Sequence, residues 1–410
     1  MPRPSSRLMR PHSSTTITVL ILLFFLVPSV LFDCRTAEAA PRARISDRSG
    51  TTTVAMRLIG SHLYVEGKVN GKPARFVLDS GAGANILTPE AAERFGVPLK
   101  PQKVRAQGAG TVEAGLATVG KIDIGQASLE EETVLVLSLP PQLEVDGLLG
   151  YGFFSRFAVT LDYEQGSLTL TSPEKFRAAP EAAVLPLKIT GNIPFVEAEA
   201  DGLKGLFQLD TGAAGSLILF APFVEKHGLR TRYSPRIETI TGRGIGGLLR
   251  GELVRIPSLR LGNIVVRSLI ADLSLQTSGS FHDKTAAGNI GAEILQRFTV
   301  TTDYHARKLY LTPNRRFNDP FPQNRSGLAI DLNDFTYTVA AVVADSPGAE
   351  AGIKAGDTLL AIGGVRVDKL KSDGIREEFR RPAGTVLPLI VRSGANEKPR
   401  TITVTLRDLL

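Results

Sequence analysis

Phe76-Val77-Leu78-Asp79-Ser80-Gly81-Ala82 returns 131 positions later as Phe207-Gln208-Leu209-Asp210-Thr211-Gly212-Ala213. The copying extends upstream at the same offset, where Tyr64-Val65-Glu66 answers to Phe195-Val196-Glu197. Asn70-Gly71 and Asp201-Gly202 fall at equivalent places, and both dipeptides favour the tight turns of β-hairpins. Each copy therefore reads as a hairpin leading into an Asp-Ser/Thr-Gly-Ala loop. Further on, Gly147-Leu148-Leu149-Gly150 and Phe157–Tyr163 are matched by Gly288-Asn289-Ile290-Gly291 and Phe298–Tyr304, now 141 positions apart. The longer offset puts an insertion in the second copy, and the polar stretch Gln276–Ala287 reads as the loop that holds it. A repeat of this kind is read before anything else, because it fixes the number of folding units.

Between the motifs, Lys121–Leu137 and Glu252–Asp272 alternate apolar and polar residues, the pattern of antiparallel strands. A short helix is expected after each Asp loop, over Pro89–Phe95 and Ala221–His227, each closed by a glycine (Gly96, Gly228) suited to a helix end. The expectation is a mostly β protein with two pseudo-symmetric lobes, 58–175 and 184–314, followed by a linker over 315–324 and a further domain over 325–410. The chain has 410 residues, 43% hydrophobic and 22% charged, with one Cys and no Trp. That length suits two to three domains. One Cys cannot make an intrachain disulfide.

Residues 1–39 read as an address. Arg3, Arg7 and Arg10 precede the mostly apolar run Ile17–Phe32, and Ala37-Glu38-Ala39 supplies the small residues of a signal-peptidase site before Ala40. The run is short for a membrane span and is interrupted by Pro28. The expected location is periplasmic or extracellular, with no stable membrane span after cleavage; the alternative is an anchor formed by an uncleaved signal. Residues 40–57 read as an N-terminal linker. The net charge of +7 comes without a dense Lys/Arg block, so no nucleic-acid partner is expected.

The two Asp loops and their downstream apolar-Gly elements resemble the aspartic proteases, most closely the retropepsin-like branch. The resemblance covers roughly residues 58–314. It implies two β-barrel lobes in a single chain, with Asp79 and Asp210 as the catalytic pair and no cofactor or metal. Ser80 and Thr211 would cross-link the loops, supported by Gly81, Ala82, Gly212 and Ala213. The chemistry explains the doubling. Peptide hydrolysis by activated water needs one group to accept a proton and another to donate one. Two adjacent carboxylates cannot both ionise easily, so they share a proton and provide both. Pepsin-like relatives often carry Ser or Thr where Ala82 and Ala213 stand. Losing that hydroxyl donor in both lobes predicts activity at mildly acidic to near-neutral pH.

Thr241–Leu249, with Gly244, Ile245, Gly246 and Gly247 at its centre, resembles a retropepsin flap tip. Gln107–Thr111, with Gly108, Ala109 and Gly110, takes the corresponding place in the first lobe. Such tips close over an extended peptide. The stretch 242–247 also fits G-x-G-x-x-G, but no helix follows it, which argues against a dinucleotide site. The four histidines after residue 39 have no metal-type spacing.

In the C-terminal region, Gly327-Leu328-Ala329-Ile330, Ala344–Asp357 and Leu359–Gly364 come in the order of a bacterial-type PDZ domain. That resemblance implies an α+β module with a groove helix over Asp373–Arg380 and closing strands over Leu387–Arg392 and Thr401–Leu406. Such a module binds a peptide terminus or internal strand along a sheet edge, with Gly327–Ile330 as the carboxylate loop. The reading is an exported monomeric endopeptidase acting on a peptide or protein substrate. Two alternatives stay open: a non-catalytic peptide-binding scaffold on the same fold, and catalysis that needs a dimer.

Overall fold

The computed structural model describes residues 42–333, 335–394 and 396–410. The signal segment expected over 1–39 lies outside the described residues. Among those described, no helix is long and apolar enough to cross a membrane.

The fold is mostly β, and each lobe grows from the hairpin that the repeat marks. His62–Val69 turns into Lys72–Leu78, and Ile193–Ala200 into Leu203–Leu209. The turn residues Asn70, Gly71, Asp201 and Gly202 all have positive φ (50°, 81°, 45° and 83°), the conformation of a type I′ turn. A longer three-strand meander follows in each lobe. In the first it is Leu99–Gln107, Thr111–Ile124 and Ala127–Val136; in the second, Ile237–Gly244, Gly247–Leu261 and Ile264–Ser274. Helix Pro89–Phe95 starts at Thr88, whose hydroxyl accepts from the Ala91 N–H, and ends at Gly96 with φ 68°. Its counterpart Ala221–Lys226 is capped by His227, and Gly228 leads into a second short helix, Leu229–Arg232.

The lobes meet in one sheet. Ala158–Asp162 pairs antiparallel with Phe298–Asp303, and Thr160 lies opposite Thr301, its own counterpart in the repeat. Their hydroxyls are 2.8 Å apart. Equivalent residues can pair with each other only where a twofold axis passes through the sheet, so this register locates the pseudo-twofold. The fully buried Phe76, Phe153, Phe154, Phe207 and Phe298 belong to one core that runs through both lobes.

One expected boundary is corrected by the strand pairing. Residues 40–57 are not a plain linker: Arg42–Ile45 pairs with Ala127–Val136, and Thr51–Ile59 lies between His62–Val69 and Ser167–Thr171. The stretch 315–324 has no regular strand, yet it is packed down. The buried Arg297 donates to the carbonyls of Arg316, Phe317, Asp319 and Pro320, and its guanidinium lies 3.8 Å from the centre of the Phe321 ring.

The C-terminal domain is a six-stranded sheet with its own core of Leu328, Val339, Ile375, Phe379 and Leu389. Its long helix is Val367–Arg380, starting before the expected Asp373, with a break at Lys371 (φ 57°). That helix is docked on the lobes. Lys371 meets Glu144 at 2.7 Å, Arg376 donates to the Gly60 carbonyl at 2.6 Å, and Arg380 meets the buried Glu293 at 2.5 Å.

Candidate active site

Each Asp loop leaves the end of a strand held from both sides. Lys72–Leu78 runs parallel to Gly147–Leu149, which is antiparallel to Asn85–Leu87. In the second lobe Leu203–Leu209, Gly288–Ile290 and Leu217–Leu219 repeat the arrangement. The Asp79 N–H donates to the Leu149 carbonyl at 2.9 Å, and that of Asp210 to Ile290 at 3.0 Å. The glycine after each apolar pair has a steric cause. A Cβ on Gly150 would lie 2.5 Å from the Ala82 carbonyl oxygen, and one on Gly291 2.9 Å from that of Ala213.

The loops are locked together by a reciprocal set of four hydrogen bonds. The Ser80 N–H donates to Thr211 Oγ1 at 2.9 Å, and the Thr211 N–H to Ser80 Oγ at 3.0 Å. Each hydroxyl then donates across the axis, Ser80 to the Leu209 carbonyl and Thr211 to the Leu78 carbonyl, both at 2.8 Å. Ser80 and Thr211 are buried, so leaving any of these groups unpaired is costly. The cross-link expected from the resemblance is thus present in the geometry.

This lock brings Asp79 and Asp210 side by side, hydrogen-bonded to each other. A Cβ on Gly81 would sit 2.5 Å from the Asp210 Cγ, and one on Gly212 2.4 Å from the Asp79 Cγ. No other residue fits at either position. Both carboxyls are walled by protein yet keep a partly open face. Burial pushes the pKa of Asp79 well above the ordinary range, and the neighbouring charge of Asp210 adds to it. Burial raises Asp210 as well, but donors offset it.

Those donors are unequal between the lobes. Asp79 Oδ1 accepts from the Gly81 N–H at 2.9 Å, and the Ala82 N–H also acts to lower its pKa. Asp210 Oδ1 accepts from Gly212 and Ala213 at 2.8 and 3.1 Å, and its Oδ2 accepts from the Asn289 amide at 2.6 Å. The absence of a hydroxyl at Ala82 and Ala213 was expected to deprive both carboxylates of a side-chain donor. For Asp210 that is corrected: Asn289 supplies one from the neighbouring strand. The signal was present in the sequence as an Asn at the place of Leu148. Two further neighbours are not among the expected site residues, although Tyr304 ends the second copy of the repeat. His62 hydrogen-bonds to the Gly212 backbone, and burial, then the Arg376 charge, depress its pKa. The buried Tyr304 phenol feels both carboxylates, and burial is the chief cause of its raised pKa.

The two glycine-rich tips meet. Gly110 donates to the Ile245 carbonyl at 3.1 Å, and a Cβ on Gly246 would lie 2.6 Å from the Gly110 Cα. The insertion Gln276–Ala287 braces both. Ser280 donates to Gly108 at 3.0 Å, and Gln276 Nε2 to Leu248 at 3.3 Å. Beyond Ala109, Arg243 forms a two-point ion pair with Asp331 of the C-terminal sheet, at 3.0 and 2.5 Å. Gly327–Ile330 enters that separate sheet, whose first strand begins at Leu328. The Leu328 N–H is taken by the Ser326 hydroxyl at 3.1 Å, and the Gly327 carbonyl accepts from Val343. Part of the expected carboxylate loop is therefore already satisfied internally, with Ala329 and Ile330 at an irregular step in the strand pairing.

A family model described as aspartyl protease matches residues 65–153 and 196–293, and one described as PDZ domain matches 338–393. The chain carries a retropepsin-like aspartyl protease domain, in two segments, and a C-terminal PDZ domain. Over 117 residues it is 32% identical to DNA damage-inducible protein 1 of Phaeosphaeria nodorum, covering 27% of this chain and 25% of that protein. Over 85 residues it is 38% identical to serine protease HTRA1 of Xenopus tropicalis, covering 20% and 15%. The chain thus spans a quarter or less of the length of these relatives. Among solved structures it is similar to a retropepsin-like aspartic protease from Rickettsia conorii (23% identity, 32% of this chain, 94% of that one, TM-score 0.24). It is also similar to Basic 7S globulin from soybean (10% identity, 64% and 95%, TM-score 0.40).

Proposed function

We propose that this protein is an exported aspartic endopeptidase that hydrolyses peptide bonds with a water activated between Asp79 and Asp210. The observation that carries the reading is the meeting of the two carboxyls across the reciprocal Ser80–Thr211 lock. One carboxylate accepts a proton from the water as its oxygen attacks the peptide carbonyl carbon. The other carboxylic acid gives its proton to the carbonyl oxygen. Collapse of the resulting diol breaks the C–N bond, and the leaving nitrogen takes a proton from the pair. The meeting tips at Gly108–Gly110 and Gly244–Gly247 act as flaps that must part to admit an extended chain and then exclude water. The PDZ domain holds a peptide terminus or strand of a substrate or partner. Export rests on the signal-like residues 1–39.

The test is cleavage of a peptide library by the full chain, with and without a statine-type transition-state analogue. Asp79→Asn and Asp210→Asn should each abolish cleavage. Activity surviving in either pure variant would rule out the dyad, and no cleavage by the intact chain would favour a peptide-binding scaffold.

A further inference from the structure

The two lobes present unequal walls to the carboxyl pair. In the first lobe the strand register sets Val77 beside Leu148, Leu148 beside Ile86, and Ile86 beside Leu135. Neighbours in register point to the same face of a sheet, so these four side chains form one apolar row. The corresponding row in the second lobe is Gln208, Asn289, Ile218 and Asp272. Three of its four positions are polar. The one nearest the carboxyls, Asn289, is 2% exposed, and its Nδ2 donates to Asp210 Oδ2 at 2.6 Å. Leu148 offers Asp79 nothing of the kind.

We infer that Asn289 is a positioning residue that breaks the symmetry of the pair, holding the negative charge on Asp210 and the shared proton on Asp79. This deepens the reading above and rests on it for its catalytic meaning: Asp210 becomes the base toward water and Asp79 the acid toward the carbonyl oxygen. The argument is one of donors and acceptors. An ionised carboxylate only accepts, and an amide NH₂ only donates. Asp210 collects three donors besides Asp79: Gly212 N–H, Ala213 N–H and Asn289 Nδ2. A proton placed on Asp210 Oδ2 would face that NH₂. The buried Asn289 Oδ1 has no partner among the described residues, so the amide is held by its donor side alone. Asp79 has fewer donors and the larger upward shift, with burial as its chief cause. The other titratable groups at the pair are the Tyr304 phenol behind both carboxyls and His62 on the Gly212 backbone, itself facing Arg376 and Asp373. Across Ile218 lies Asp272. None of them donates to Asp79 or Asp210.

The test reads the carboxyls directly, independent of turnover. The full chain is labelled with ¹³C at the Asp carboxyl carbon and titrated by NMR, with Asp79→Asn and Asp210→Asn used for assignment. In the unaltered protein at mid-titration, Asp210 should show a carboxylate shift and Asp79 a carboxylic-acid shift. Asn289→Leu, which installs the first lobe's residue, should raise the first ionisation of the pair by about one pH unit or more, the size expected for a lost hydrogen bond to a charged group. It should also even out the two shifts. Leu148→Asn is the converse and should move charge toward Asp79. Unchanged titration of the pair in both variants, or a carboxylate shift on Asp79 in the unaltered protein, would overturn the inference. Absence of peptide cleavage would instead count against the proposed function and leave this readout intact.

Discussion

Asp272 offers a sharp test of the electrostatics of the second lobe. It lies in strand Ile264–Ser274, 8% exposed, where the first lobe has Leu135 in register. Its Oδ1 has no partner among the described residues and packs so closely that a Cβ on Gly251 would lie 1.6 Å from it. Burial pushes its pKa up from 3.8 to about 7, with Thr241 acting in the opposite direction. The sign follows from linkage. Below the unfolded value both states carry the proton and there is no penalty. As pH rises toward 7 the unfolded chain ionises while the folded one keeps its proton, so stability falls and levels off above the folded value. Three units at 1.36 kcal/mol each set a ceiling of about 4 kcal/mol. Asp272→Asn removes the titrating group at nearly constant volume. Urea unfolding of both proteins, followed by circular dichroism at pH 4, 6 and 8, should show the variant gaining on the parent by up to about 4 kcal/mol across that range. Taking the difference cancels the dyad and Glu293, which both proteins share. Parallel stability curves would refute the reasoning, because they would mean that Asp272 ionises as freely folded as unfolded.

Thr211→Val should lower stability by roughly 2–5 kcal/mol, since it strips partners from the Ser80 N–H and the Leu78 carbonyl in a buried site. A shift of the urea midpoint measures it, and a loss below 1 kcal/mol would mean that water replaces the hydroxyl. Arg380→Met leaves the buried Glu293 without its guanidinium. The expected cost is about 3 kcal/mol at pH 8 and shrinks as the pH is lowered, because burial already favours the protonated Glu293, which needs no cation; a cost independent of pH would contradict this. Asp331→Asn frees Arg243 beside the second glycine-rich tip. Because the pair is partly solvated, hydrogen exchange over 243–249 should quicken by no more than about fivefold, with His62–Val69 unaffected.

Much of the architecture was legible because a repeat is a statement about symmetry. The hairpin turns at Asn70-Gly71 and Asp201-Gly202 follow from residues that tolerate positive φ. The helix at Pro89–Phe95 follows from Thr88 at one end and Gly96 at the other. Local chemistry was enough for each of these. Residues 42–57 were misread because a strand made of Thr, Val and Ala is recognised only by its neighbours. Thr51–Ile59 becomes a strand by lying between His62–Val69 and Ser167–Thr171, and no local signal announces that. The PDZ helix was placed late for a related reason: Val367–Leu370 is separated from the rest by the break at Lys371.

The sequence by itself determined that Asp79 and Asp210 are equivalent, since they occupy one place in a duplicated motif. Only the tertiary structure decided that the Asn289 standing in the place of Leu148 reaches Asp210 and makes them unequal. Equivalence is a property of order along the chain. A carboxyl's charge is set by donors within 3 Å or so, and those arrive from other strands. Asn289 is remote from Asp210 in sequence but adjacent in the sheet, and it gives one carboxyl a donor that Leu148 denies the other. The same distinction covers the two glycine-rich tips. Glycine content marked their tips, while their contact with each other, with the insertion at Gln276–Ala287 and, through Arg243, with the PDZ sheet arises only when separate stretches of chain are folded against one another.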